Sequence, residues 1–124
     1  MEKQTFSGNY EADIASLNLR LRVSESFDLV SRQIMIGSHR AMLWFIDGFI
    51  KDGLMEKIMS FMMNADEKKL KTVGTTREFA DAFVPYVETE VVNDFDRFET
   101  FLFSGALGMI VDGFQEAIII DVRT

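Results

Sequence analysis

The sequence predicts an α/β domain: a small mixed or antiparallel sheet of about four strands in two hairpins, covered by about four helices. Three observations lead there. Residues 30–46 hold two runs rich in β-branched and aromatic residues, "VSRQIMI" and "RAMLWFI", parted by Gly37-Ser38-His39. Residues 107–122 hold two more apolar runs around Asp112-Gly113, the strongest kind of short hairpin signal. The remaining apolar segments repeat with helical period and carry caps.

Taken in order, residues 10–22 form the first helix. Ile14, Leu17 and Leu21 share one face, Asn9 is placed to cap, and Glu11 and Asp13 suit the positive end of the helix dipole. The first hairpin follows, and its second strand ends at Asp47-Gly48. Ile50 then bridges to Asp52, placed to cap a helix over 53–63 with Leu54, Ile58, Phe61 and Met62 facing the core. Met55, Met59 and Met63 make a second apolar stripe on that helix, so it is buried on more than one face or covers a partner. "NADEKKLKTVGTT" (64–76) reads as a solvated loop. Thr75 with Glu78 makes a capping box for a helix that stops at Pro85. Asn93 is placed to cap another, with Phe95, Phe98 and Leu102 inward and Gly105 just past its end. Neither Gly108–Val111 nor Ala117–Ile120 alternates, which puts the last hairpin near the middle of a covered sheet. The order is α-β-β-α-α-α-β-β, with no repeat or linker, so 124 residues make one domain.

Composition narrows the function. A net charge of −7 and a pI near 4.6 argue against a nucleic-acid footprint and give no attraction to anionic lipid. The chain has no cysteine, which removes disulfides, zinc–thiolate sites and thiol nucleophiles. One histidine, His39, in the first turn, makes a transition-metal site unfavourable and reads as a surface residue. The start lacks the apolar stretch of a secretory signal, and no apolar run reaches the ~18 residues of a membrane span.

Three acids stand near strand ends: Asp47, Asp112 and Asp121. Together they would suit a divalent cation, and Asp47 with Asp112 an acid-dependent hydrolase. Turn chemistry explains the first two more simply, because Asp before Gly caps local amides while Gly takes the positive φ. Asp121 is placed to pair with Arg32 or Arg123. The three glycines of "SGALGMIVDG" lead into a strand, which is not the helix N-terminus that a phosphate cradle needs. No catalytic, cofactor or metal residue is assigned. Asp47 and Arg32 are the candidate polar anchors of a small-ligand site, and Met55, Met59 and Met63 the candidate contact surface.

Four local patterns occur in sequence: "SFDLVSRQIMI", "LWFIDGFIKDGLMEKIM", "FLFSGALGMIVDG" and "AIIIDVR". They resemble the amino-terminal cytoplasmic region of the GerA family of spore germination proteins, the germinant receptor A subunits and stage V sporulation protein AF. The family's D-L-x-x-R segment matches Asp28 to Arg32 and its aromatic-I-D-G segment matches Phe45 to Gly48. L-x-S-G and the following D-G match Leu102 to Gly105 and Asp112-Gly113; A-I-I-I-D-x-R matches Ala117 to Arg123. The resemblance spans roughly residues 10–123. It implies the first soluble subdomain of a larger protein of the spore inner membrane, on the spore-core (cytoplasmic) side, with membrane spans further along the parent chain. It also implies B- and C-type receptor subunits as partners, self-association of A subunits, and no catalytic residues.

Overall fold

The computed structural model describes residues 4–22, 28–50, 52–84 and 88–121. Ten elements follow the chain: α1 (Tyr10–Leu21), β1 (Leu29–Ile36), β2 (His39–Ile46), α2 (Asp52–Met63), α3 (Glu67–Leu70), α4 (Thr76–Phe83), β3 (Thr89–Val92), α5 (Phe95–Phe103), β4 (Leu107–Val111) and β5 (Ala117–Ile120). The strands form one antiparallel sheet in the order β1-β2-β4-β5-β3. The expected pair of hairpins is present, with β4 and β5 buried along their whole length.

Helices cover both faces. On one, Ile34, Ile36, Leu43, Met109, Val111 and Ile118 of the sheet meet Ile58 and Met62 of α2, Leu70 of α3 and Phe79 and Phe83 of α4. On the other, Trp44, Ile110 and Ile119 meet Leu17 and Leu21 of α1 and Phe95, Phe98 and Leu102 of α5. Phe98 is the centre of this second core. Its ring stands edge-on to Trp44 at 5.6 Å and lies against Gly108, where an added Cβ would come within 2.4 Å of it. Gly108 therefore allows α5 to seat closely on β4.

Local chemistry sets the element ends. Asn9 accepts from the Ala12 amide (3.0 Å), and the Thr75–Glu78 capping box is complete. Gly105, at φ 106°, follows the α5 C-cap as expected. Several expectations need correction. The α5 cap is Asp94, which accepts from the Arg97 amide (2.8 Å) and has itself lost nearly all solvent contact; its neighbour Asn93 stays exposed. The first hairpin turns on two residues, Gly37-Ser38. His39 opens β2 opposite Ile36, half-buried, and donates from Nδ1 to the Asp112 carbonyl (2.7 Å). Part of the expected loop 64–76 is the helix α3, capped by Asp66 and pinned by buried Leu70. It packs over the hairpin turn, where a Cβ on Gly37 would strike Leu70 at 2.4 Å. Strand β3 was not expected; it makes the fifth strand. The Asp52 side chain and Arg123 lie outside the described residues.

Candidate functional site

The two Asp-Gly turns have the same build. Phe49 N–H bonds the Ile46 carbonyl (3.2 Å) around Asp47-Gly48, and Phe114 N–H bonds the Val111 carbonyl (3.1 Å) around Asp112-Gly113. Gly48 and Gly113 take φ 92° and 98°, a region that L side chains enter only under strain. The turns lie at opposite ends of the sheet because β2 and β4 run antiparallel. Asp112 N–H bonds the Arg40 carbonyl (2.8 Å), and Asp47 lies seven residues further along the chain. At ~3.3 Å per residue their backbones are about 23 Å apart. That excludes the paired-carboxylate hydrolase, whose two groups must sit within ~10 Å. It also breaks up the trio of acids as a cation site, and among the described residues no group of three His, Cys, Asp or Glu is arranged to hold a metal.

Asp112 serves an ion-pair cluster instead. It accepts from Arg40 Nε (3.1 Å) and Nη2 (2.9 Å), while Arg40 Nη1 donates to Glu11 (3.1 Å). These bonds raise the Arg40 pKa, first through Asp112 and then Glu11. The same guanidinium lies over the Tyr10 ring, 4.7 Å from its centre. Burial raises the Tyr10 phenol pKa; Arg40 opposes the rise and Asp112 adds to it. The Tyr10 hydroxyl donates to Gln33 Oε1 (3.1 Å), tying α1 to β1. Asp121 sits at the other end, its amide on the Glu88 carbonyl (3.0 Å). With β2 and β4 between β5 and β1, it does not make the expected pair with Arg32.

Asp47 and Arg32 fall in different surroundings. Asp47 is exposed in its turn, with its amide on the Asp28 carbonyl (2.7 Å). That bond joins the first two sequence motifs. Arg32 lies mid-strand on β1 opposite Leu43, on the α2 side of the sheet. It lines an open groove with Glu56, Met59, Ser60, Met63 and Asn64 of α2 and its C-terminal end. Structure thus gathers Arg32 with part of the methionine stripe. The stripe itself divides: Met59 is buried, Met55 is half-buried against the core, and Met63 is 49% exposed. Phe61, expected inside, is 42% exposed. The apolar arc of α2 is wider than the sheet can cover, and Met55, Ile58, Met59 and Met62 take its centre. A second cleft, about 490 Å³, lies where α2, α3 and α4 meet, with Lys57, Phe61, Asn64, Lys69 and Phe83 in its walls. Sequence reading missed it because Asn64, Ala65, Asp66 and Lys69, half of its lining, lie in the segment read as a solvated loop.

A family model described as Bacillus/Clostridium GerA spore germination protein matches residues 17–124. Among solved structures, the chain is similar to the N-terminal domain of the A subunit of the Bacillus megaterium spore germinant receptor GerK3. The TM-score is 0.78 at 16% identity, over 100% of this chain and 50% of that one, a likeness of fold. The chain thus spans about half the length of that neighbour. No curated protein sequence matches it. Among the described residues no helix is long and apolar enough to cross a membrane.

Proposed function

The chain belongs to the GerA family of spore germination proteins, and from that premise we propose that it is a non-enzymatic module of a germinant-receptor A subunit or close relative. Its task in this reading is to assist assembly or relay a signal in nutrient-triggered germination. It works on the spore-core side of the spore inner membrane, beside B- and C-type subunits and further copies of its own kind. The GerA match over 17–124 carries this reading. The use made of the motif acids supports it: Asp47 and Asp112 each shape a turn, about 23 Å apart along the sheet. A rigid two-faced sheet with an apolar helix rim suits an adaptor.

The outer side of α2, around Met63, is the contact surface in this proposal. Met59 is unsuitable for a test, because a charge there would break the core. Met63→Glu in the full-length parent should leave folding intact yet reduce germination and the co-purification of other receptor subunits. Unchanged germination and co-purification would remove α2 as the contact.

One observation favours a second reading, a small-ligand module. The α2–α3–α4 cleft has the size of a small-molecule pocket, is lined by Lys57 and Lys69, and sets Lys69 over the Phe83 ring at 5.7 Å. It would replace the Asp47–Arg32 site, whose members stand apart. Thermal-shift screening with amino acids, sugars and divalent ions separates the readings. A saturable shift lost in Lys69→Ala supports the ligand, and no shift supports the adaptor.

A further inference from the structure

The outer edge of β1 is a second opening in the molecule, and hydrogen-bond parity defines it. Asp47 N–H bonds the Asp28 carbonyl, and β1 pairs β2 in the same register from Leu29 to Ile36. Asp28, Val30, Arg32, Ile34 and Ile36 therefore turn their backbone groups toward β2, and Ser31, Gln33 and Met35 turn theirs outward. Among the described residues nothing bonds those outward N–H and C=O groups. Natural sheets close such edges with short strands, bulges, proline or lysine. β1 is eight residues long, "LVSRQIMI", with Arg32 its only charged residue.

The Arg32 guanidinium stands beside this edge without a hydrogen bond or ion pair among the described residues. Arg20, Arg40, Arg77 and Arg97 are all salt-bridged, as suits a chain with 20 acids and 13 basic residues. Glu56 lines the same groove without pairing with Arg32. The groove floor is apolar, from Met59 and Met63.

We propose that the β1 edge takes an extended polypeptide segment as an added strand, with a carboxylate side chain opposite Arg32 and apolar residues beside it over the Met59–Met63 groove. The geometry suits the charge. With Ser31 and Gln33 bonding outward, Arg32 falls at a non-hydrogen-bonded position of the new pair, where facing side chains come closest. A guanidinium there meets a carboxylate in its preferred forked geometry. A second copy of β1 is a poorer occupant. The strand itself contains no acid, so extensive self-pairing sets Arg32 against Val30, Ile34, Ile36 or another Arg32; only a short overlap centred on Val30 brings Asp28 opposite it.

The inference needs only the free edge and Arg32, so its test uses no germination assay and its failure leaves the family reading standing. The probe is a short end-capped fluorescent peptide of alternating valine and threonine, with a central glutamate on the valine face; its twin carries lysine there. The glutamate peptide should bind the chain below about 1 mM, within the range of weak, transient contacts, and slow exchange at the Ser31, Gln33 and Met35 amides. Arg32→Glu should weaken it roughly five- to tenfold and strengthen the lysine twin by a similar factor. The proposal is overturned by no binding of either peptide, by indifference to the charge swap, or by protection mapping elsewhere. Dimerisation of the chain alone that protects those same amides would also overturn it, giving the edge to a second copy.

Discussion

The two edges of the sheet are built in opposite ways. β3 is four residues long, and its own chain covers both ends of its edge. By the same parity, Thr89, Val91 and Asn93 face outward there; Arg77 bonds the Thr89 carbonyl (3.4 Å) and hydroxyl, and Phe6 N–H bonds the Asn93 carbonyl (2.9 Å). An Arg97–Glu90 ion pair lies across the strand, and Thr5 bridges to Asp94 just past its end. β1 is twice as long and, among the described residues, leaves Ser31, Gln33 and Met35 open. The difference teaches that the open edge is no general looseness of the fold. Among the described residues the chain covers the ends of one edge and leaves the outward backbone groups of Ser31, Gln33 and Met35 on the other without partners.

Proline substitution is the harshest way to break the comparison. Arg32 and Gln33 are adjacent and both exposed, but only the Arg32 N–H belongs to the β1–β2 ladder. Arg32→Pro should cost on the order of 3 kcal/mol in chemical denaturation. Gln33→Pro, which loses an outward N–H and the Tyr10 bond, should cost about 1 kcal/mol. Equal costs would mean that the register is wrong. The sheet centre should respond to bulk rather than to hydrogen bonds. Gly108→Ala pushes a methyl into Phe98 and should destabilise by roughly 1–3 kcal/mol, read as a lowered denaturation midpoint.

Arginine truncation gives a smaller contrast. Arg77→Ala should cost under about 1 kcal/mol and speed amide exchange in β3, since it removes an edge cover and an exposed ion pair. Arg32→Ala should change neither stability nor exchange. The weakest effect lies at the α1–β1 tie. Burial holds the folded Tyr10 pKa above the ordinary 10.0, so the neutral phenol contributes stability below pH 10 that is lost as pH rises through the folded value. Tyr10→Phe should therefore lose less stability than the native chain between neutral and strongly alkaline pH, measured by denaturant titration at each pH.

Legibility in the sequence followed the strength of local signals. The central hairpin showed because continuous apolar runs such as Ala117–Ile120 have few other homes than a sheet covered on both faces. The caps at Asn9 and Thr75 showed because their partners lie within three residues. β3 was missed because four residues with a central glutamate carry almost no period, and its pairing with β5 is distant in sequence. α3 was hidden by its lysines; only Leu70 of its four residues is buried. Phe61 was misplaced because α2 is apolar over too wide an arc for periodicity to fix its rotation. The site suffered most. Asp47 and Asp112 look alike as residue types, and strand direction alone sends them to opposite ends. The gathering of Arg32 with Met59 and Met63 across the edge depends on where α2 packs, which no local pattern encodes.

The most direct test is hydrogen exchange at Ser31, Gln33 and Met35, measured in the chain alone and in the proposed receptor assembly that contains it. An open edge that serves an assembly should exchange freely in the first and become protected in the second, while the β3 amides stay the same in both. Equally fast exchange at the three β1 amides in both preparations would contradict the account.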